Sequence, residues 1–104
     1  MTDYEEIEEE RIVKKRKTKF QVKREREIEE FRQMLQSATC RAFVLRLLSY
    51  CGVFQSLSVL DPHSMAIRSG LRDAGLWVLN EVFATDPKLF TLMQSEAKER
   101  ENNG

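Results

Sequence analysis

The sequence predicts an all-α protein, and three observations lead to that prediction. Apolar residues recur at three- and four-residue steps in three stretches between residues 28 and 97. Asp-Pro pairs at 61–62 and 86–87 are typical of helix starts, because Asp accepts a backbone N–H and Pro needs no donor at the first position. Gly52 can adopt the left-handed conformation that closes a helix. We therefore expect a small helical domain of about three helices with a charged N-terminal arm, either helical or disordered.

Charge is segregated along the chain, although the net charge is zero. Residues 1–10 carry six acids and no base, which predicts a disordered acidic tail. Residues 11–26 contain the single acid Glu25 and nine bases: Arg11, Lys14, Lys15, Arg16, Lys17, Lys19, Lys23, Arg24 and Arg26. We expect a charged arm over residues 1–26, a helical domain over 27–100 and a disordered tail over 101–104.

The nine bases are a candidate DNA contact, because clustered Lys and Arg bind phosphates by releasing counterions. Phe20 is the only aromatic residue in the run, so no base-stacking platform is predicted. The neighbouring acids would also compete for the same bases. The alternative is a solvated basic arm that pairs partly with residues 1–10.

The first predicted helix begins near Glu27 and ends before Gly52. No Pro interrupts residues 25–51, so one long helix is predicted, while Ser37 and Thr39 leave open a break at 37–40. Residues 53–60 are too apolar for a free loop, so an ordered connection packed on the helices is expected. The apolar positions of the helix are Ile28, Phe31, Leu35, Ala38, Ala42 and Leu45.

Asp61 and Pro62 open the second predicted helix, which extends to about Ala84. Trp77 is predicted to be its largest buried side chain, packed near Phe43, Leu47 or Phe54. Ala66, Gly70 and Ala74 lie at four-residue steps and form a smooth strip that another helix could approach closely. The alternative is that Gly70 and Gly75 are tolerated without a role. Asp86 and Pro87 open a third helix that ends near Arg100.

The sequence contains no pattern that predicts catalysis. His63 is the only His and lies at a predicted helix start, and Cys51 is typical of a small core residue. Zinc-ligand spacing and a Gly-rich phosphate loop are both absent from the sequence. We expect no enzymatic activity, metal or cofactor. Reduced thiols, an acidic start and the lack of an apolar run near the ~18 residues of a membrane span favour a soluble intracellular protein.

Four arginines among apolar residues are candidate partner contacts. Arg41 and Arg46 interrupt the most apolar part of the first helix, and Arg68 and Arg72 lie one turn apart, where like charges repel mildly. An anionic partner would relieve that repulsion. The alternative is pairing with carboxylates of the same chain while the side-chain stems lie along apolar surface. Asp61, Asp73 and Glu81 are the candidate carboxylates.

Self-association, or poor solubility until a partner is bound, is also expected, because only about 60 residues can form a core, and a core of that size is marginally stable alone. Residues 28–60 offer more apolar side chains than one short helical hairpin can cover. We expect Ile28, Phe31 and Leu35 to form part of the contact.

An ordered set of short motifs extends through residues 40–94. It comprises Arg41-Ala-Phe-Val-Leu-Arg46-Leu-Leu, Cys51-Gly52-Val53-Phe54, Asp61-Pro62-His63, Arg68-x-Gly70-x-Arg72 and Gly75-Leu76-Trp77. This pattern resembles a family of small virion-associated proteins of tailed, mainly short-tailed, bacteriophages. The resemblance implies a non-enzymatic structural role in or near the particle, with portal, head or internal and ejection proteins as partners. It carries no established chemistry.

The expected function is therefore that of a phage virion accessory protein, an adaptor in assembly or genome ejection that docks on a larger virion protein. The expected location is the virion and, during assembly, the host cytoplasm. A coiled-coil or otherwise extended charged arm would make electrostatic contacts. Two alternatives remain: a DNA-binding regulator that uses residues 11–26, and an inhibitor that binds a host protein.

Overall fold

The computed structural model describes residues 17–56 and 61–104, and within those ranges the regular secondary structure is α-helical, with no strand. The all-α prediction is confirmed. The helices are α1 (Lys19–Met34), α2 (Ala38–Tyr50), α3 (Pro62–Thr85) and α4 (Pro87–Asn103). They outnumber the predicted three because the first predicted helix is divided in two. The predicted acidic tail, the bases Arg11 to Arg16 and part of the predicted connection lie outside the described residues.

A capping box starts α1 well before the predicted position. The hydroxyl of Thr18 accepts a hydrogen bond from the N–H of Gln21 at 3.2 Å, and the Gln21 side chain accepts one from the N–H of Thr18 at 3.0 Å. The helix therefore begins at Lys19 instead of Glu27. Residues 19–26, predicted as part of an arm that is either helical or disordered, are helical and belong to the same helix as the apolar face.

Ser37 determines where the predicted long helix breaks. Its hydroxyl accepts a hydrogen bond from the N–H of Cys40 at 3.4 Å and starts α2, while α1 ends at Met34. Leu35, in the turn between the two helices, is fully buried. The break that the sequence left open is therefore present, slightly before the predicted range.

Helix ends elsewhere follow the predicted signals. Gly52 has φ +73° and closes α2, where its N–H bonds to the Ser49 carbonyl and that of Val53 to the Leu48 carbonyl. Asp61 accepts from the N–H of Ser64 at 2.9 Å, which lowers the pKa of its carboxyl group, and Asp86 accepts from Lys88. Pro62 and Pro87 occupy first-turn positions, as predicted. Helix α4 continues past the predicted end near Arg100 to Asn103, so residues 101–103 of the predicted disordered tail are helical.

The core draws one fully buried large side chain from each helix or its end. These are Leu35 after α1, Leu48 of α2, Val82 of α3 and Met93 of α4. Arg24 and Arg32 add polar links from α1 to α3, bonding respectively to the Glu81 carboxylate at 2.8 Å and the Thr85 carbonyl at 3.2 Å. Helix α1 is therefore part of the packed domain.

The prediction that Trp77 is buried is wrong, since 65% of its surface is exposed. The face of α3 that enters the core runs through Leu71, Gly75, Val78 and Val82. Consecutive helical residues differ by about 100° in direction, so Trp77 points away from this stripe. The glycine at position 75 marks the inward direction, and Trp77, about 200° further round the helix, points away from it.

Within the chain, the closest approach to the backbone of α3 is at Gly75, outside the strip formed by Ala66, Gly70 and Ala74. A Cβ atom at position 75 would lie 2.6 Å from the Cβ of Cys51 and 2.5 Å from Cγ2 of Val53. A Cβ at Gly70 would meet no heavy atom within 4 Å. The turn after α2 thus packs directly on the backbone of α3, while the predicted strip faces outward.

Candidate functional site

An open apolar groove of about 590 Å³ lies where α1, α2 and α3 meet. Three pairs of apolar side chains and three carboxylates line most of it. The apolar pairs are Phe31 and Met34 of α1, Phe43 and Leu47 of α2, and Trp77 and Val78 of α3, and the carboxylates are Glu27, Glu30 and Glu81.

Large side chains at this groove are strongly exposed. Trp77 is 65% exposed, Phe43 is 53% exposed and Met34 is 42% exposed. Single exposed apolar residues are ordinary, but a contiguous set of them marks a surface on which another molecule binds. Sequence reasoning assigned Phe43 and Trp77 to the core. The signal that could have corrected it is the 71–75–78–82 spacing, which fills the inward face of α3 without Trp77.

Apolar surface continues from the groove along α3. Ile67 is 61% exposed, and Gly70 and Ala74 are also exposed. Three- and four-residue steps place these residues on the same face as Trp77. We call Ile67, Gly70 and Ala74 the α3 strip. Having no large side chain at its centre, the strip is a flat surface that a helix or sheet of another protein can approach.

Arg41, a predicted partner contact, is engaged inside the chain. Its Nε and Nη2 donate to the two oxygens of Glu96 at 2.8 and 3.0 Å, and its Nη1 donates to the carbonyls of Leu35 and Gln36 at 2.8 and 2.9 Å. The hydrogen bond to Glu96 raises the pKa of Arg41 and lowers that of Glu96. The internal alternative therefore holds for Arg41, with a carboxylate that sequence reasoning had not named.

The other three arginines differ in setting. The guanidinium of Arg46 is exposed and lies over the Phe43 ring, 5.4 Å from its centroid. Arg68 is exposed, and Arg72 is half-buried. The Nε of Arg72 has no hydrogen-bond partner among the residues the structure describes. The four arginines do not converge on a single described pocket.

The predicted self-association and DNA residues are divided between buried, paired and exposed positions. Leu35 is fully buried, and Ile28 and Phe31 are half-buried.

The predicted DNA contacts are in part paired within the chain. Lys17 pairs with Glu25 at 2.7 Å, and the hydrogen bond from Arg24 to Glu81 raises the pKa of Arg24. Among the predicted DNA contacts, the exposed bases on α1 are Lys19, Lys23 and Arg26. Arg11, Lys14, Lys15 and Arg16 lie outside the described residues.

The described residues present no assembled metal site. His63 is exposed in the first turn of α3, and the thiols of Cys40 and Cys51 are free. Across residues 17–56 and 61–104, no three His, Cys, Asp or Glu side chains are grouped closely enough to hold a metal ion. In the same ranges, none of the helices has the length and apolar character required to cross a membrane.

The Arg41–Glu96 pair predicts a dependence of stability on pH. Because the pKa of Glu96 is lowered in the folded state, its pairing contributes stability above the ordinary carboxyl pKa, about 4.3, and loses it as pH falls through the folded-state pKa. We expect the parent to lose more stability than Glu96→Gln when the pH falls below about 4.3. Urea unfolding midpoints of both proteins, measured from about pH 6 to pH 2, check this expectation.

Asp61, whose pKa is also lowered, is present in both proteins of that comparison and cancels. The two stability curves should therefore converge on acidification. Curves that remain parallel through the same range would show that Glu96 is not linked to folding.

Comparison with protein-family models, with curated proteins and with solved structures finds no match to this chain.

Proposed function

We propose that the chain is a small, non-enzymatic binding module that docks on a larger protein. The observation that carries this proposal is the continuous exposed apolar surface formed by the groove and the α3 strip. Removing such surface from water contributes about 25 cal/mol per Å² of apolar area, which offsets the entropic cost of association. The centre of the surface is Trp77, a residue type enriched among the side chains that dominate binding energy at interfaces.

The biological setting that we propose is the particle of a tailed bacteriophage, in which the chain acts as an accessory adaptor in assembly or genome ejection. Its support is the motif resemblance over residues 40–94. A module that binds without catalysis fits that setting. The larger partner would be a portal, head or internal protein, and the α3 strip is the surface that we assign to it.

Mass spectrometry of purified phage particles tests this function. In particles of a phage that encodes the chain, we expect the parent protein to be present and the Ile67→Asp variant to be depleted by about tenfold relative to infected-cell lysate. A carboxylate on the strip would have to be desolvated on docking, which costs several kcal/mol. Ile67 is largely exposed in the free chain, so the substitution leaves folding intact.

Asn80→Asp is the matched control, because Asn80 is exposed on the same helix outside the strip. This variant should be incorporated like the parent. Absence of the parent from particles, despite its presence in the lysate, would remove the virion role. Equal incorporation of Ile67→Asp and Asn80→Asp would remove the α3 strip as the docking surface.

A further inference from the structure

We propose that the groove is covered by a second copy of this chain, in an antiparallel homodimer that pairs α1 with α1. The inference rests on the proposed function only in treating the groove as a protein-binding surface. It leaves the α3 strip free for a different protein.

The first observation is an unpartnered aromatic side chain on α1. Phe20 is 78% exposed and does not line the groove of its own chain. It lies seven residues before Glu27, and Met34 lies seven residues after Glu27. Seven-residue steps return to nearly the same direction on a helix, within about 20° per step. Phe20 therefore extends the stripe of α1 that faces the groove, beyond the end of the groove itself.

The second observation is the symmetry of that stripe about Glu27. When two copies of α1 lie antiparallel with their Glu27 residues adjacent, Phe20 of one copy lies opposite Met34 of the other. The aromatic ring of each chain then reaches the groove of its partner, where Phe43 and Trp77 are exposed. The same surface patch serves both subunits, as a two-fold interface requires.

The third observation is the charge order along α1. The exposed charges of its first half are mainly basic, including Lys19, Lys23 and Arg26, and those of its second half are mainly acidic, including Glu27 and Glu30. An antiparallel pairing puts Lys23 of one chain beside Glu30 of the other, on the same side of the interface. A parallel pairing would place like charges together, which is unfavourable. Charge therefore selects the antiparallel orientation.

One contact opposes the dimer. The Glu27 carboxylates of the two chains lie next to each other at the two-fold axis, where like charges repel. Glu27 is exposed and lines the groove. Removing this charge should therefore strengthen association, whereas removing the charge of Lys23 or Glu30 should weaken it. Opposite effects from neighbouring charges on one helix are specific to this pairing.

Sedimentation equilibrium of the full chain at micromolar concentrations tests the dimer. We expect the parent to dimerise, with Lys23→Glu and Glu30→Lys each raising the dissociation constant by about tenfold or more, since two-fold symmetry repeats every pair. The double variant Lys23→Glu/Glu30→Lys restores the pair with exchanged signs and should return to within about threefold of the parent. Phe20→Ser should weaken association, and Glu27→Gln should strengthen it.

Circular dichroism provides the folding control, because Phe20, Lys23 and Glu30 are exposed in the free chain. A parent that remains monomeric throughout the range would overturn the dimer, and so would a double variant no tighter than the single variants. These outcomes are separable from the proposed function. A rescued dimer that is absent from phage particles removes only the virion role, and a monomer found in particles removes only the dimer.

Discussion

Replacement of Arg41 with alanine is expected to lower the free energy of unfolding by about 2–4 kcal/mol. The Arg41 side chain is only 14% exposed, and its guanidinium joins the carboxylate of Glu96 on α4 to the backbone carbonyls of Leu35 and Gln36 after α1. Truncation would remove the hydrogen-bond donors of the Glu96 carboxylate and of the Leu35 and Gln36 carbonyls, at a site that is partly buried. Chemical unfolding followed by circular dichroism measures the change.

Arg46→Ala is the control for that substitution, because Arg46 lies on the same helix and is exposed over the Phe43 ring. A cation–π contact at an exposed site contributes about 0.5–1 kcal/mol, so this variant should lose no more than that. Equal losses in Arg41→Ala and Arg46→Ala would contradict the structural role assigned to the Arg41–Glu96 pair.

Gly75→Ala is expected to destabilise the protein by about 1–3 kcal/mol, although alanine ordinarily favours a helix. The new methyl group would meet the Cβ of Cys51 and a methyl group of Val53 at distances that real contacts do not reach. Because Cys51 Cβ is attached directly to the backbone, relief requires the turn after α2 to move away from α3. Thermal unfolding of the variant and the parent provides the measurement.

Gly70→Ala is the matched comparison on the same helix, since a Cβ there meets no neighbouring atom within 4 Å. This substitution should stabilise the protein by up to about 1 kcal/mol through helix propensity alone. The two variants should therefore change stability in opposite directions. If both substitutions stabilised the protein, that result would contradict the close packing of the turn after α2 on α3 at Gly75.

Helix boundaries were the most predictable part of the fold, because their signals are local in sequence. Asp61, Asp86 and Gly52 act within two or three residues of themselves, and each lies at the helix end that was predicted for it. The start at Thr18 was not predicted, because its capping box lies inside a run of charged residues that indicates a solvated arm as readily as a helix. The predicted first helix therefore began too late, at Glu27 instead of Lys19.

Long-range contacts were less predictable, since periodicity gives the faces of a helix without showing which face is covered. Trp77 illustrates this, because its hydrophobicity favours burial while its direction on α3 is fixed by the neighbouring Gly75 and Val78. Arg41 is a second example, because its partner Glu96 is 55 residues away in sequence and no local pattern connects the two. The groove depends on the relative positions of three helices, so no local pattern could predict it.

The groove as a protein-binding surface is tested most directly by the fluorescence of Trp77, the only Trp in the chain. On dilution of the parent from micromolar to nanomolar concentration, we predict that the emission maximum moves to the longer wavelength of a solvated indole as the second copy dissociates. For Lys23→Glu, whose dimer is expected to be weaker, the shift of the emission maximum should occur at a higher protein concentration than for the parent. An emission maximum that stays at short wavelength at every concentration, in both proteins, would mean that Trp77 is buried within a single chain, and would contradict the groove.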